Sequence, residues 1–271
     1  MLKKRIIASI NIMNNIVVQS IGFNKYLPVG NLDITLDFLN KWGADEIVIF
    51  DISARSRKKI NYRLLNKINN KNFVPICYGG GINNVHQIRK LINNFSDKVS
   101  LNYSLLQNMK LLKDATDKFG KQCIVGSVDI IRNNKQKYFV FDSFKKKVTN
   151  LDPIDYCKEL SENGIGEIIL KLVNNDGMKC GYEIIYYNKI IKAVNSPVII
   201  SSGIGTYKQL IKGFDKCNAS GYAVGNFLHF KEHNLTIMKN ILNKKSKKIR
   251  DDNNFRYKDH FIKPFLSKIY E

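Results

Sequence analysis

The segment Val74-Pro75-Ile76-Cys77-Tyr78-Gly79-Gly80-Gly81-Ile82 has a counterpart 122 residues later, Ser196-Pro197-Val198-Ile199-Ile200-Ser201-Ser202-Gly203-Ile204. Other residues keep nearly the same spacing. Glu46 and Glu167 lie 121 apart, and Asn11 and Asp129 lie 118 apart. An internal repeat of almost half the chain restricts the fold to one built from two like halves.

Around the repeat, short apolar runs alternate with longer amphipathic stretches. Strands are expected over Arg5 to Asn11, Glu46 to Asp51, Val74 to Tyr78, Lys98 to Asn102, Cys123 to Asp129, Glu167 to Val173, Pro197 to Ser201 and Tyr222 to Gly225. Helices are expected over Leu32 to Trp42, Tyr62 to Ile68, Val85 to Asn94, Leu105 to Phe119, Pro153 to Glu162, Glu183 to Val194 and Lys208 to Phe214. Runs such as Ile47-Val48-Ile49-Phe50 lack polar alternation, as strands covered on both faces do. Eight strand–helix alternations predict an α/β fold, a (β/α)8 TIM barrel made of two half-barrel repeats. Lys137 to Phe141 and Lys146 to Thr149 predict a hairpin in the loop after the fifth strand, turning at Asp142 to Phe144. The barrel is assigned to residues 1–243. A charged run beginning at Lys244 opens a basic C-terminal extension, 244–271.

The net charge of +21 raises the question of nucleic acid or membrane binding. Lysine, asparagine and isoleucine are enriched together along the whole chain, and the lysines form no stripe interleaved with aromatics. Neither nucleic acid nor a membrane is therefore expected as a partner, and no run of 18 apolar residues suggests a membrane span. The basic start Met1-Leu2-Lys3-Lys4-Arg5 before Ile6 to Ile10 resembles a leader, but Asn11, Asn14 and Asn15 interrupt the apolar stretch. The five cysteines are odd in number and never form a C-x-x-C pair, which fits a reducing cytoplasm. His229 and His233 are spaced to share a metal on a helix face, but the acidic residue of an H-E-x-x-H motif is missing. No metal and no cofactor are expected.

Glycines directly after a strand let backbone N–H groups approach phosphate oxygens. One such site combines Gly80 and Gly81 with Asn102 and Tyr103 after the next strand. The other combines Ser202 and Gly203 with Gly225 and Asn226. The pair predicts a small-molecule substrate phosphorylated at both ends. At the carboxyl ends of strands one and five stand Asn11 and Asp129, where barrel chemistry takes place. Two carboxylates there would form an acid–base couple, but Asn11 does not titrate. Asp129 is the catalytic candidate, with a loop-capping role as the alternative. Asp51, Lys171, Asp176 and Gly177 fall near the same face, the last two in a loop that is equally readable as a simple turn. At the opposite ends Arg5, Glu46, Lys98 and Glu167 occupy equivalent inward positions. Periodicity favours a paired charge layer closing the barrel floor. A passage for a small neutral molecule is the alternative.

Lys4-Arg5-Ile6-Ile7, Gly43-Ala44-Asp45-Glu46, Tyr78-Gly79-Gly80-Gly81-Ile82, Asp97-Lys98-Val99-Ser100 and Gly166-Glu167-Ile168-Ile169-Leu170 together resemble the cyclase subunit of imidazole glycerol phosphate synthase. Asp176-Gly177 and Gly181-Tyr182 fit the same pattern, and the likeness runs from residue 1 to about residue 243. The resemblance implies a lyase and cyclase that forms a heterodimer with a class I glutaminase at its amino-terminal face. It implies that ammonia passes Arg5, Glu46, Lys98 and Glu167 as a gate, that Asp97 meets the glutaminase, and that Asp129 is the general acid.

The departures fall on the chemical face. Asn11 stands at the family's strand-one base and Gln19 at a loop lysine. Ser202 and Asn226 alter the second phosphate turn, Lys171 replaces a small hydroxyl residue, and Met178 replaces a threonine. With Tyr78 ahead of the glycines and Asn24-Lys25-Tyr26 after Gly22-Phe23, the chain looks like paralogues from surface-polysaccharide gene clusters. That likeness implies ammonia delivery for sugar amidation, altered or lost cyclisation, and a third amidotransferase protein as acceptor. The competing expectations are a genuine histidine-biosynthesis cyclase, a noncatalytic scaffold that activates a glutaminase, and a related sugar-phosphate isomerase barrel.

Overall fold

The computed structural model describes residues 3–54, 59–66, 74–246 and 249–250. Eight parallel strands close a barrel in the order β1 (Arg5–Met13), β4 (Glu46–Asp51), β5 (Ile76–Gly79), β6 (Lys98–Leu101), β7 (Ile124–Arg132), β10 (Glu167–Leu172), β11 (Val198–Ser201) and β12 (Gly221–Val224). Pairing of β12 with β1 and of β7 with β10 completes the circle. The outward face of each strand packs under the helices in one large apolar cluster. The inward face forms a smaller cluster containing Ile7, Val48, Cys77, Val125, Ile169 and Ile199. This double covering is why the strands read as continuous apolar runs.

All eight expected strands are present, with ends displaced by at most three residues and Glu46–Asp51 matching at both ends. Helix starts follow local chemistry. Asp152 accepts hydrogen bonds from the Ile154 and Asp155 amides with Pro153 in the first turn, and Thr206 and Gln209 form a reciprocal capping box. The expected helix from Leu105 to Phe119 is two helices, Tyr103–Gln107 and Lys110–Phe119, separated at Asn108, whose extended backbone ends the first.

The predicted fifth-loop hairpin is present as β8 (Tyr138–Asp142) and β9 (Lys147–Val148). Lys146 takes the positive φ, 54°, that the glycine-free turn requires. A second meander was not expected. After β1 the chain turns at Asn14 and Asn15, both at positive φ, into β2 (Ile16–Ile21). It turns again at Gly22 and Phe23 into β3 (Lys25–Asn31).

At the other end of the chain, the helix Asn234–Ser246 extends past residue 243 and anchors the last segment to the barrel floor. Lys239 contacts Asp45 at 2.7 Å, and the buried Ile249 bridges Lys4. Most of the expected extension, including the aromatic segment from Phe255 onward, lies outside the described residues.

Candidate active site

The two ends of the barrel carry different chemistry. At the amino-terminal ends, Arg5, Glu46, Lys98 and Glu167 form a closed ring of alternating charge. Arg5 meets Glu46 at 2.7 Å and also pairs with Glu167. Lys98 meets each glutamate at 3.0 Å. Burial opposes the charge on Arg5 and Lys98, yet Glu167 and Glu46 hold both groups above their ordinary pKa values. Beside the ring, Asp97 is exposed while one of its oxygens accepts from the Ile76 amide at 2.8 Å. Asp45 treats the Ile6 amide in the same way at 2.7 Å. These two carboxylates fix the starts of β5 and β1.

Above the ring lies the apolar interior layer, where burial pushes the Cys77 thiol well up and keeps it protonated. Two residues beyond Ile7, Val125 and Ile199, and two beyond Lys98 of the ring, the lining changes to hydroxyls: Ser9, Ser127, Ser201 and Ser100 all face the cavity above. The Ser100 and Ser127 hydroxyls are buried without a hydrogen-bond partner among the described residues. This hydroxyl layer was missed from the sequence, although the period of two in Ile7-x-Ser9-x-Asn11 and Val125-x-Ser127-x-Asp129 carries the signal.

The cavity, about 1000 Å³, opens at the carboxyl ends of the strands and contains both glycine turns together with Asn11 and Asp129. Because β1 and β7 are four strands apart around an eight-stranded circle, Asn11 and Asp129 stand on opposite walls. Asp129 is buried. Its Oδ2 accepts from Asn102 Nδ2 at 2.8 Å, and its Oδ1 lies 3.1 Å from Lys171 Nζ in an ion-pair contact outside hydrogen-bond geometry. The Lys171 ammonium also sits 3.9 Å from the Phe50 ring centre.

The first glycine turn is built for close approach. At Gly80 (φ 137°) a Cβ would come within 2.6 Å of the Asp51 carbonyl oxygen. Asp51 is buried and accepts from Ser53 Oγ, the Ala54 amide and the Tyr78 hydroxyl, so it supports the turn. Across from the turn, beside Asn102 and Tyr103, the Ser104 hydroxyl lines the cavity with no partner among the described residues.

The second turn is more occupied. Ser202 adopts φ 75° and Gly203 φ 94°, the latter packed against the Gly181 carbonyl. Next to it the Asn226 side chain grips the backbone of Ser20, donating to its carbonyl at 2.7 Å and accepting from its amide at 3.2 Å. Asp176 holds the same hairpin: it accepts from Ser20 Oγ at 2.6 Å and from the Phe23 amide at 3.3 Å. Burial raises the Asp176 carboxyl to about 6, against the lowering effect of those bonds. Gly177 (φ 72°) lets the sixth loop lie directly on Ser20 and Ile21. Gln19 and Met178 are not among the residues lining the cavity.

Of the two histidines spaced for a metal, His229 is in a short 3-10 turn and His233 has φ 54°, so they share no helix face. Burial lowers the His229 pKa to about 4. No cluster of three or more potential metal-ligating side chains occurs among the described residues.

A family model described as "Histidine biosynthesis protein" matches residues 5–234. The imidazole glycerol phosphate synthase subunit HisF of Clostridium botulinum (strain Kyoto / Type A2) is 36% identical over 252 residues, covering 92% of this chain and 100% of that protein. The chain is a member of the HisF family. A Staphylococcus aureus (strain bovine RF122 / ET3-1) HisF is 34% identical over 245 residues, covering 89% of this chain and 97% of its own length. A Vibrio vulnificus (strain YJ016) protein provisionally named as imidazole glycerol phosphate synthase subunit hisF2 is 32% identical over 271 residues, covering 100% of this chain and 99% of its own length. Within the HisF family, then, the chain is similar both to proteins named as HisF and to one named as hisF2.

Proposed function

We propose that this HisF-type chain is the ammonia-using subunit of a glutamine-dependent synthase, with a glutaminase docked over its charged floor and a phosphorylated small molecule bound at its mouth. The observation that carries the reading is the column of layers joining the two ends: a charge-balanced ring, an apolar layer, and hydroxyls opening into the cavity. Neutral ammonia loses little on entering apolar surroundings, whereas ammonium is strongly penalised there. Ser9, Ser100, Ser127 and Ser201 then offer hydrogen-bond partners before the reacting centre.

At the mouth, Gly80, Gly81, Asn102, Tyr103 and Ser104 hold one phosphate. The turn at Ser202 and Gly203, with Gly225, receives the other end of the acceptor. Asn11 orients by hydrogen bonding, because it neither takes nor gives a proton at physiological pH. The cyclisation step is therefore altered or lost, and the acceptor is a phosphorylated sugar or nucleotide to which nitrogen is added, either within the cavity or on a third protein. The test is to mix the chain with a class I glutaminase from the same genome. Complex formation and faster glutamine hydrolysis, with Lys98→Met abolishing the transfer of 15N from glutamine to acceptor, are expected. No complex and no stimulation would sink the reading.

A second reading, ordinary lyase and cyclase action in histidine biosynthesis, is favoured by the presence of Asp129 and both glycine turns. Complementation of a histidine auxotroph tests it directly. Losing a general base typically costs about two to four orders of magnitude in rate, so full complementation would require another group to replace Asn11.

A further inference from the structure

Asp129 and Lys171 are direct register partners on β7 and β10, and their side chains meet inside the cavity. We infer that Lys171 is a specificity-determining residue that sets a cation against the second oxygen of Asp129, so that two changes, Asn11 and Lys171, separate this site from cyclase chemistry. The inference rests on the HisF-type reading above and concerns the same cavity.

The geometry limits what Asp129 can do. A carboxyl group serves as a general acid only if one oxygen carries a proton that points toward the reacting atom. Here Oδ2 already accepts from the Asn102 amide at 2.8 Å, and Oδ1 faces the Lys171 ammonium at 3.1 Å. A proton on either oxygen would confront a donor. Lys171 is in turn held from the other side by the Phe50 ring face, 3.9 Å from its nitrogen, and has Phe23 of the first hairpin turn at 5.4 Å. Attraction between an ammonium and an aromatic face adds to the ion pair and keeps the cation where it is.

The pair also places a cation in the cavity that is lined by both glycine turns. Lys171 lies two residues beyond Ile169 of the apolar layer, and Asp129 two residues beyond Ser127. Ammonia leaving the hydroxyl layer therefore meets a lysine–aspartate pair instead of a free acid. Such a pair steadies negative charge or an oxygen on the acceptor, and any proton it gives comes from the ammonium, ordinarily a far weaker acid than the carboxyl group that ring closure with loss of a leaving group would use.

The experiment is a two-by-two set: wild type, Asn11→Asp, Lys171→Thr and the double variant. Each is assayed with an ammonium salt and the bisphosphorylated ribonucleotide of imidazole glycerol phosphate synthase, without a glutaminase. Each single variant removes one of the two changes and should remain far below the double variant. The double variant should exceed Asn11→Asp by about 100-fold, the low end of a typical acid–base contribution, with the gain in kcat and not in KM. Asn11→Asp with Lys171→Arg should stay low, because the guanidinium preserves the pair.

Equal activity of Asn11→Asp and the double variant, or high activity of the arginine combination, would overturn the inference. So would a folded double variant, confirmed by its melting curve, that shows no gain. Stimulation of a glutaminase by the wild-type chain is scored separately. Its failure counts against the HisF-type functional reading alone, while the two-by-two result counts for or against Lys171.

Discussion

Ser20 donates its hydroxyl to Asp176 across 2.6 Å, joining the meander after the first barrel strand to the loop after the sixth strand. The two residues are 156 positions apart in sequence, and their contact closes one side of the cavity. Asp176 is raised by burial to about 6 from an ordinary 3.8.

This sets a pH dependence. A carboxyl raised in the folded state binds more protons folded than unfolded between the two values. Its contribution to stability is therefore complete below about pH 4 and is lost as the pH rises through about 6. Amide exchange in residues 16–31, corrected for intrinsic rate, should show more frequent opening at pH 7.5 than at pH 5. Asp176→Asn should flatten that difference.

Asn226 holds the same meander through both backbone groups of Ser20. Asn226→Ala leaves those groups to water and should weaken the local closure by about 1–2 kcal/mol. Faster exchange confined to residues 16–31, with an almost unchanged global melting temperature, is the expected signature. A large drop in melting temperature would mean that the meander is part of the cooperative core.

Ser202 pays a conformational penalty at φ 75°, in a region where side chains with a Cβ are disfavoured by roughly 1–2 kcal/mol. Ser202→Gly should therefore stabilise the chain, by about 1 kcal/mol after the extra flexibility of glycine in the unfolded state is subtracted. Chemical denaturation at constant m-value would measure it.

The ring at the floor makes a prediction of the opposite sign. Arg5→Met leaves Glu46 and Glu167 with Lys98 as their one partner in the ring. Removing one member of a buried ion-pair group typically costs about 3–5 kcal/mol. Equilibrium unfolding should show a loss of that order, and nitrogen transfer from a glutaminase should fall even at temperatures where the variant remains folded.

The barrel was readable from the sequence because parallel strands covered on both sides leave an unmistakable apolar rhythm, and the 122-residue repeat marks its halves. The floor ring was readable because all four charges interrupt that rhythm at the same relative place. The meander after β1 was hidden for a physical reason. β3 is exposed along most of its length and shows no apolar alternation, and the left-handed Asn14-Asn15 pair, a hairpin turn signal between Ile12-Met13 and Ile16-Val17, was read only as an interruption. The Lys171–Asp129 contact was hidden for another. Each residue was picked out, but their meeting depends on strand register, which places Lys171 opposite Asp129 instead of one or two residues away. The grip of Asn226 on Ser20 needs two loops 206 residues apart to converge, and no local pattern encodes that.

Two cations and two anions cancel within the floor ring, while the chain as a whole carries +21. On the proposed ammonia route the entrance is thus an electrically silent threshold set in a strongly positive body. That body repels small cations at a distance, whereas an uncharged solute arrives unopposed. On that proposed route, discrimination between the two protonation forms of a nitrogen donor begins outside the protein, before any side chain is touched. The mouth takes no part in it, so the threshold and the reacting end are free to diverge along separate evolutionary courses.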